Sequence, residues 1–170
     1  MDKKALRKQA FAYFKEMSDE VYLARTKEVL EFIMNDEKFL NAQKVGIYYP
    51  IHKEINLLIL MELFPEKAFF FPRLEGHTLS FRQVKNIDEL EPSKFNTRQP
   101  KRHHPIETDI DLYFVPCLLT YENYRIGHGK GYYDYYFKDH EGYKVGIVHK
   151  ALKNIYTFIG PHDVAMDYII

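Results

Sequence analysis

The chain has 170 residues, 46% of them hydrophobic and 28% charged, a size and composition typical of one soluble globular domain. Its 24 lysines and arginines balance its 24 aspartates and glutamates, so no net field favours nucleic acid or an anionic membrane as a partner. We therefore predict a single domain over residues 1–170 that binds neither.

Cysteine usage and the apolar runs indicate the compartment. Cys117 is the only cysteine, so no disulfide can form within the chain and a reducing environment is the simpler interpretation. No apolar run approaches the roughly 18 residues that a membrane span needs, and the first residues lack the apolar stretch of a secretory signal. We expect a cytoplasmic protein, and we take it to be a monomer.

The hydrophobic pattern begins as helix and then alternates between strand and helix. Helices are predicted at residues 3–16, 19–35 (with Ser18 as N-cap), 55–64 and 131–139. Strands are predicted at residues 45–49, 68–71, 79–83, 111–115 and 143–148. The uninterrupted apolar run at 68–71 is typical of a strand covered on both faces by helices. The sequence thus predicts an α/β fold with a central, mostly parallel mixed sheet flanked by helices and an N-terminal helical pair.

Residues 87–109 interrupt this alternation. The segment is polar, contains Pro92, Pro100 and Pro105, and shows no clear periodicity. We interpret it as a long loop of the functional or mobile kind rather than as a domain boundary.

Residues 125–134 read RIGHGKGYYD, three alternating glycines between cations that run into a predicted helix start. Glycine tolerates φ > 0 and lets amide groups approach an anion with no Cβ in the way. Arg125 and Lys130 add full charges, the following helix adds unpaired N–H groups, and Asp134 offers a hard oxygen to phosphate-bound Mg²⁺. The segment therefore predicts a nucleotide site. The glycines alone would fit a tight turn equally well, since their spacing matches neither GxGxxG nor the P-loop.

The same ten residues follow a strand ending in Val-Pro and resemble the R-x-G-x-G-x-G-Y-Y-D signature of the 5-formyltetrahydrofolate cyclo-ligase family, also called methenyltetrahydrofolate synthetases. Residues 3–7, KKALR, are similar to the family's opening K-x-x-L-R, and residues 161–167, PHDVAMD, to its closing H-D-x-x-M-D. The resemblance spans nearly the whole chain and implies a Rossmann-like (NagB/RpiA-like) fold. Many relatives have glycine after Val-Pro, whereas this chain has Cys117 and a linker to Arg125 that is one residue shorter.

The resemblance implies conversion of 5-formyltetrahydrofolate, with or without a polyglutamate tail, to 5,10-methenyltetrahydrofolate, using ATP and Mg²⁺ and releasing ADP and phosphate. An N-formyl carbon is a poor electrophile, so phosphorylation of its oxygen would activate it for ring closure by N10. Phosphoryl transfer requires positioning and charge stabilisation more than a covalent nucleophile. The sequence contains no Ser-His-Asp order or nucleophile elbow that would favour a different chemistry.

The resemblance also implies roles for individual residues. Lys130 and Arg125 are implied to be catalytic, and Asp134 and Asp163 to bind the metal. ATP contacts are implied for Lys3, Arg7, Arg125, Ile126, Gly127, His128, Gly129, Lys130, Gly131, Tyr132 and Tyr133. Contacts to the folate substrate are implied for Tyr49, Glu54, His128, Gly129, Lys130, Gly131 and Tyr132.

Considered without the resemblance, several of these side chains have simpler roles open to them. Lys3 and Arg7 lie about one helical turn apart and could form a solvated basic face. Glu54 and Asp134 could be acids at helix N-termini, and Asp163 could cap an Asx turn after a proline.

The eight histidines do not predict a zinc site, because no Cys or His spacing fits one and the adjacent His103 and His104 cannot easily share a metal. Residues 101–104, KRHH, either contact the acidic tail of a polyglutamylated folate or form a solvated loop. The solvated loop is favoured, as is usual for a short charge run.

Two other functions remain open at this point. A phosphate-binding α/β enzyme of another reaction, such as a sugar-phosphate isomerase or deaminase, would use the glycine-rich segment without ATP, so a requirement for Mg-ATP separates it from a cyclo-ligase. A nucleic-acid-binding module built on the tyrosines and the basic loop would show steeply salt-dependent binding, which the balanced charge disfavours.

Overall fold

The computed structural model describes residues 2–170. Its helices are α1 (Lys3–Glu16), α2 (Asp19–Met34), α3 (Glu37–Asn41), α4 (Ile59–Leu63) and α5 (Tyr132–Phe137). Its strands are β1 (Lys44–Gly46), β2 (Ala68–Glu75), β3 (Thr78–Gln83), β4 (Leu90–Pro92), β5 (Arg98–Pro100), β6 (Ile106–Glu107), β7 (Leu112–Pro116), β8 (Leu119–Tyr121), β9 (Tyr124–Ile126), β10 (Tyr143–Ile147) and β11 (Tyr168–Ile169). None of the helices in residues 2–170 is both long and apolar enough to cross a bilayer.

The strands form one seven-stranded sheet and two small hairpins. The sheet has the order β11-β10-β7-β1-β2-β3-β6. Neighbours from β11 to β2 are parallel, and β3 and β6 add to one edge as antiparallel strands. The hairpins β4–β5 and β8–β9 stand outside this sheet. The predicted α/β fold with a mostly parallel, mixed sheet is therefore confirmed.

Helices cover both faces of the sheet, and β7 is the clearest case. Leu112 and Phe114 point into a core formed with α2, α3 and α4. Tyr113 and Val115 point into a second core formed with α1 and α5. All four side chains are at most 2% exposed. An apolar strand without polar alternation is what two helical layers require.

The N-terminal helical pair is confirmed, with the predicted cap. Ser18 Oγ accepts a hydrogen bond of 3.2 Å from the amide of Val21, in the first turn of α2. The helix predicted over residues 55–64 is wrong at its beginning, because α4 starts only at Ile59. The carbonyls of residues 53, 54 and 55 lie against the side chains of His149, Tyr22 and Tyr48, which hold this stretch irregular. Tertiary hydrogen bonds here outweigh local helix propensity.

The long loop predicted over residues 87–109 is also wrong, because the segment contains β4, β5 and β6 with short 3₁₀ turns. Two buried arginines of the sheet hold it in place. Arg73 Nη1 donates a hydrogen bond of 2.8 Å to the carbonyl of Pro100, and Arg82 Nη1 donates to the carbonyls of residues 102 and 104. Such long-range contacts leave no periodic signal in the sequence.

Helix α3, strand β11 and the hairpin β8–β9 were not predicted either. In the hairpin, Leu119 pairs with Ile126, and Glu122 has a φ of 52° in the turn between the strands. This tight turn leads the chain back to the end of β7. The short linker between Cys117 and Arg125 is thus accommodated by a compact hairpin.

His149, which follows β10, is expected to make stability depend on pH. It is 2% exposed, and its Nε2 lies 2.7 Å from the carbonyl of Lys53, so the neutral ring donates a hydrogen bond there. Burial lowers the pKa of His149 from its ordinary value of 6.5. The unfolded chain therefore binds a proton more readily than the folded protein does, and the stability from this group is complete above pH 6.5 and lost as the pH falls below it.

We predict that the free energy of unfolding of the wild type falls between pH 7.5 and pH 5.5, and that His149→Gln loses less over the same interval. Urea unfolding at the two pH values measures this. His103→Gln, a change at an exposed histidine, is the matched control and should behave like the wild type. An unchanged pH dependence in His149→Gln would show that other groups cause the effect.

Candidate active site

A cavity of about 500 Å³ opens at the carboxyl ends of β1, β2 and β7. Open α/β sheets bind their ligands at this edge. The cavity lies between residues 126–131, hereafter the glycine loop, and the hairpin β4–β5. Every residue that we predicted for ATP, folate or metal binding lines it, except Asp163. The fold therefore brings together residues that are up to 131 positions apart, from Lys3 to Asp134.

Two glycines of the glycine loop are favoured by their backbone angles, and the third lies close to a side chain. Gly129 and Gly131 have φ angles of 100° and 70°, which disfavour any residue with a Cβ. At Gly127, an added Cβ would lie 2.0 Å from Nη2 of Arg125. The glycines therefore do more than form one tight turn, because one of them allows close approach of a charged side chain.

Arg125 lies beneath the loop and supports it. Its side chain is 8% exposed, and its Nε donates a hydrogen bond of 3.1 Å to the carbonyl of Pro116 at the end of β7. Its guanidinium also stacks over the ring of Tyr133, with 5.1 Å from Cζ to the ring centroid. The predicted grip of Arg125 on phosphate can therefore come only from its terminal nitrogens, while Nε holds the loop to the sheet.

Helix α1 lies over the loop from the other side. Arg7 Nε donates a hydrogen bond of 2.8 Å to the carbonyl of Gly127, and Lys3 Nζ lies 2.5 Å from Asp163 Oδ2. Both side chains line the cavity. The solvated basic face considered above is wrong for this pair, since both cations are directed into the site.

Lys130 is exposed at the mouth of the cavity. Neither a carboxylate within 4.0 Å nor a side-chain hydrogen bond of Lys130 occurs among the described residues. A lysine in this position can follow an anionic ligand without breaking an existing ion pair. The role predicted for it stays a prediction.

Glu54 is a buried carboxylate directed at the glycine loop. It is 7% exposed, its Oε1 accepts a hydrogen bond of 2.9 Å from the amide of Ile51, and its Oε2 lies 3.6 Å from Nε2 of His128. The helix that follows begins only at Ile59, so the interpretation of Glu54 as a helix N-terminal acid is wrong. Its remaining acceptor capacity faces the cavity, as does the half-buried Tyr49.

Asp134 is hydrogen-bonded to the segment that contains Asp163. Asp134 Oδ1 accepts a hydrogen bond of 3.0 Å from the amide of Val164, the neighbour of Asp163. Asp163 Oδ2 accepts from the amide of Gly160 at 2.7 Å as well as from Lys3. Within residues 2–170, no group of three or more His, Cys, Asp or Glu side chains could hold a metal alone. Two carboxylates completed by ligand phosphate and water would suit Mg²⁺.

Burial makes two groups near Arg125 harder to ionise. Burial raises the pKa of Tyr133 well above its usual range. Burial also raises the pKa of the Cys117 thiol to about 11, although Arg125 acts in the opposite direction. At neutral pH the phenol can donate a hydrogen bond, and the thiol is not a nucleophile.

Sequence reasoning did not find one wall of the cavity. This wall contains apolar residues of β2 and β3 and polar residues of the hairpin β4–β5, namely Pro72, Leu74, Leu79, Ser93, Thr97, Arg98 and Gln99. Phe11 of α1 also lines the cavity, and its ring centroid lies 5.5 Å from that of His128. Residues 101–104 do not line the cavity, and residues 101–103 are exposed, while the role of this segment stays a prediction.

Comparisons with known proteins identify the family of this chain. A model of the 5-formyltetrahydrofolate cyclo-ligase family matches residues 1–170. The 5-formyltetrahydrofolate cyclo-ligase of Mycoplasma pneumoniae is 28% identical over 183 aligned residues, which cover 100% of this chain and 98% of the relative. The protein of that name from Mus musculus is 23% identical, with 99% and 92% covered.

Solved structures give the same result. The NMR structure of Aquifex aeolicus 5,10-methenyltetrahydrofolate synthetase has a TM-score of 0.87 and 28% identity, covering 99% of this chain and 89% of that chain. A 5,10-methenyltetrahydrofolate synthetase from Mycoplasma pneumoniae has a TM-score of 0.79 over 100% and 98% of the chains, and at 22% identity it supports the fold alone. The chain therefore belongs to the 5-formyltetrahydrofolate cyclo-ligase family.

Proposed function

We propose that this protein converts 5-formyltetrahydrofolate to 5,10-methenyltetrahydrofolate in a reaction that requires ATP and Mg²⁺ and releases ADP and phosphate. The observation that carries the proposal is the glycine loop, which allows main-chain amides and cations to meet at the mouth of one cavity. Membership of the family supports the same reaction. One chain builds the whole cavity, so the reaction needs no second copy, and we propose a cytoplasmic monomer.

The loop end of the cavity suits the triphosphate. The absence of a Cβ at Gly129 and Gly131 leaves the amides of the loop open to phosphate oxygens. Lys3, Arg7 and Lys130 add three positive charges around it. Preorganised donors and cations of this kind stabilise the charge of a transferring phosphoryl group.

Mg²⁺ fits beside this loop. Asp134 and Asp163 would hold it, because both are hard oxygen donors and each keeps one carboxylate oxygen outside the hydrogen bonds described above. When bound, the ion would neutralise charge on the phosphates. The ammonium group of Lys3 would then leave Asp163 and pair with a phosphate of the nucleotide instead.

The opposite part of the cavity suits a folate. Pro72, Leu74 and Leu79 provide an apolar wall for the pteridine and aryl rings. Glu54 supplies a buried acceptor for ring N–H groups, since among residues 2–170 only its Oε1 is hydrogen-bonded. His128, 3.6 Å from that carboxylate, lies between the two halves of the cavity.

This arrangement supports a reaction in two steps. The formyl oxygen attacks the γ-phosphorus and ADP leaves, which turns a poor leaving group into phosphate. N10 then adds to the activated carbon and loses its proton, and phosphate departs with the former formyl oxygen. The protein contributes positioning and charge and forms no covalent bond with either substrate.

Absorbance of the methenyl product tests the proposal directly. Purified protein mixed with 5-formyltetrahydrofolate and Mg-ATP should form product, and leaving out either ATP or Mg²⁺ should stop it.

Lys130→Ala should lower turnover on the order of 100-fold or more while the fold stays intact, because a charge that stabilises the transferred group is lost. Lys27→Ala, at an exposed lysine of α2, is the control. Product formation without ATP would contradict the proposal, and near-normal turnover by Lys130→Ala would remove that residue from the mechanism.

We further predict that Gly127→Ala lowers turnover about 100-fold, because the new Cβ displaces the guanidinium of Arg125 and misplaces the loop. Gly76→Ala in the β2–β3 turn is the matched control, since it has a φ of 61° and open space around it. That variant should lose some stability to heat but keep its kcat. Full activity of Gly127→Ala would show that the packing of Arg125 does not shape the site.

A further inference from the structure

The hairpin β4–β5 is a fixed wall of the cavity rather than a mobile flap. Arg73 of β2 donates a hydrogen bond to the carbonyl of Pro100 and forms an ion pair of 2.7 Å with Glu91. Gln99 Oε1 accepts a hydrogen bond of 3.1 Å from the amide of Leu74. The hairpin is therefore attached to β2 by both backbone and side-chain contacts, and its polar residues have defined positions.

Arg98 in this wall is a half-buried cation, and no counter-ion for it occurs among the described residues. Its side chain lines the cavity, and its Nη2 donates a hydrogen bond of 2.6 Å to the carbonyl of Leu90. Within the part of the chain that the structure describes, no carboxylate lies within 4.0 Å of it. The nearby Glu91 is paired with Arg73 instead. A guanidinium in this state has free donors for an anionic group of a ligand.

Arg98 lies on the opposite side of the cavity from the phosphate-binding cations. The glycine loop is attached to the end of β7, whereas the hairpin is attached to β2, two strands further along the sheet. Pro72, Leu74 and Leu79 line the cavity on the side of β2 and β3. When the reacting group of a ligand lies at the glycine loop and its apolar part packs against these three residues, the far end of the ligand lies near Arg98.

We propose that Arg98 binds the carboxylates of the glutamate moiety of 5-formyltetrahydrofolate and so sets the preference for substrates that carry glutamate. The inference rests on the proposed function, because the reacting formyl group must lie at the glycine loop. In this substrate the pteridine and aryl rings separate the formyl group from the glutamate. The cavity has the same order, with cations at the glycine loop, an apolar wall in the middle and a further cation at the other end. Arg98 is thus a specificity-determining residue and takes no part in the chemical step.

Steady-state kinetics with two substrates tests the proposal. One is 5-formyltetrahydrofolate, and the other is its des-glutamate amide, in which the benzoyl carbon bears –NH₂ and no carboxylate remains. For the wild type we expect a KM about tenfold or more higher for the amide, the size expected for loss of a charge-assisted hydrogen bond. Arg98→Gln should raise the KM for the folate about tenfold. Its kcat, its KM for ATP and its KM for the amide should stay within about twofold of the wild-type values.

Two further variants make the result specific. Arg98→Lys keeps the charge but loses the planar fork, so it should recover part of the preference. Arg102→Gln removes an exposed arginine that does not line the cavity, and it should leave both KM values unchanged. Thermal unfolding of each variant reports whether the wall is intact.

Several outcomes would overturn the assignment. In one, the wild type uses both compounds with equal KM. In another, Arg98→Gln leaves the KM for the folate unchanged or raises the KM for both compounds equally. In a third, Arg102→Gln changes the KM values and Arg98→Gln does not. Turnover of 5-formyltetrahydrofolate by the wild type with any of these results would leave the proposed function standing. If neither compound is turned over, the proposed function fails, and the ratio of their equilibrium binding constants still tests Arg98.

Discussion

The close approach of Arg125 to Gly127 is the contact on which the site depends. One guanidinium joins the end of β7, through the carbonyl of Pro116, to the underside of the glycine loop and to the ring of Tyr133 in α5. A cation that is 8% exposed needs acceptors and partners of this kind to offset the loss of water. The result is a loop that lines the cavity and is supported from beneath by a side chain that is also attached to the sheet.

Buried arginines hold other irregular parts of this fold in the same way. Arg73 and Arg82 hold residues 98–104 against the sheet through backbone carbonyls, and Arg25 donates to the carbonyl of Val148 after β10. Carbonyl groups in irregular segments lack ladder partners, and the five donors of a guanidinium can satisfy several of them at once. Side-chain hydrogen bonds thus attach the hairpin wall, and segments outside the cavity, to the sheet.

The sequence was informative where the signal was local. The first two helices, the Ser18 cap and the buried strand β7 follow from periodicity and capping, and the glycine loop from the conformational freedom of glycine. The hairpin wall with Arg98 was not predicted, because Arg73 fixes it from another part of the chain. The same holds for residues 55–58, where side chains distant in sequence bind the backbone carbonyls. The joint placement of the predicted site residues around one cavity depended on the resemblance to a family, since spacing alone does not relate residue 3 to residue 134.

The most direct test of the central claim concerns the amides of the glycine loop themselves. At 20.4 kDa, the ¹⁵N-labelled protein is accessible to two-dimensional NMR, in which each amide reports separately. Adding Mg²⁺ and a non-hydrolysable ATP analogue should shift the amide signals of Gly127, Gly129 and Gly131 more than those of the rest of the chain, and adenosine without phosphates should not. Unmoved loop amides, with the largest shifts in another part of the protein, would contradict the account.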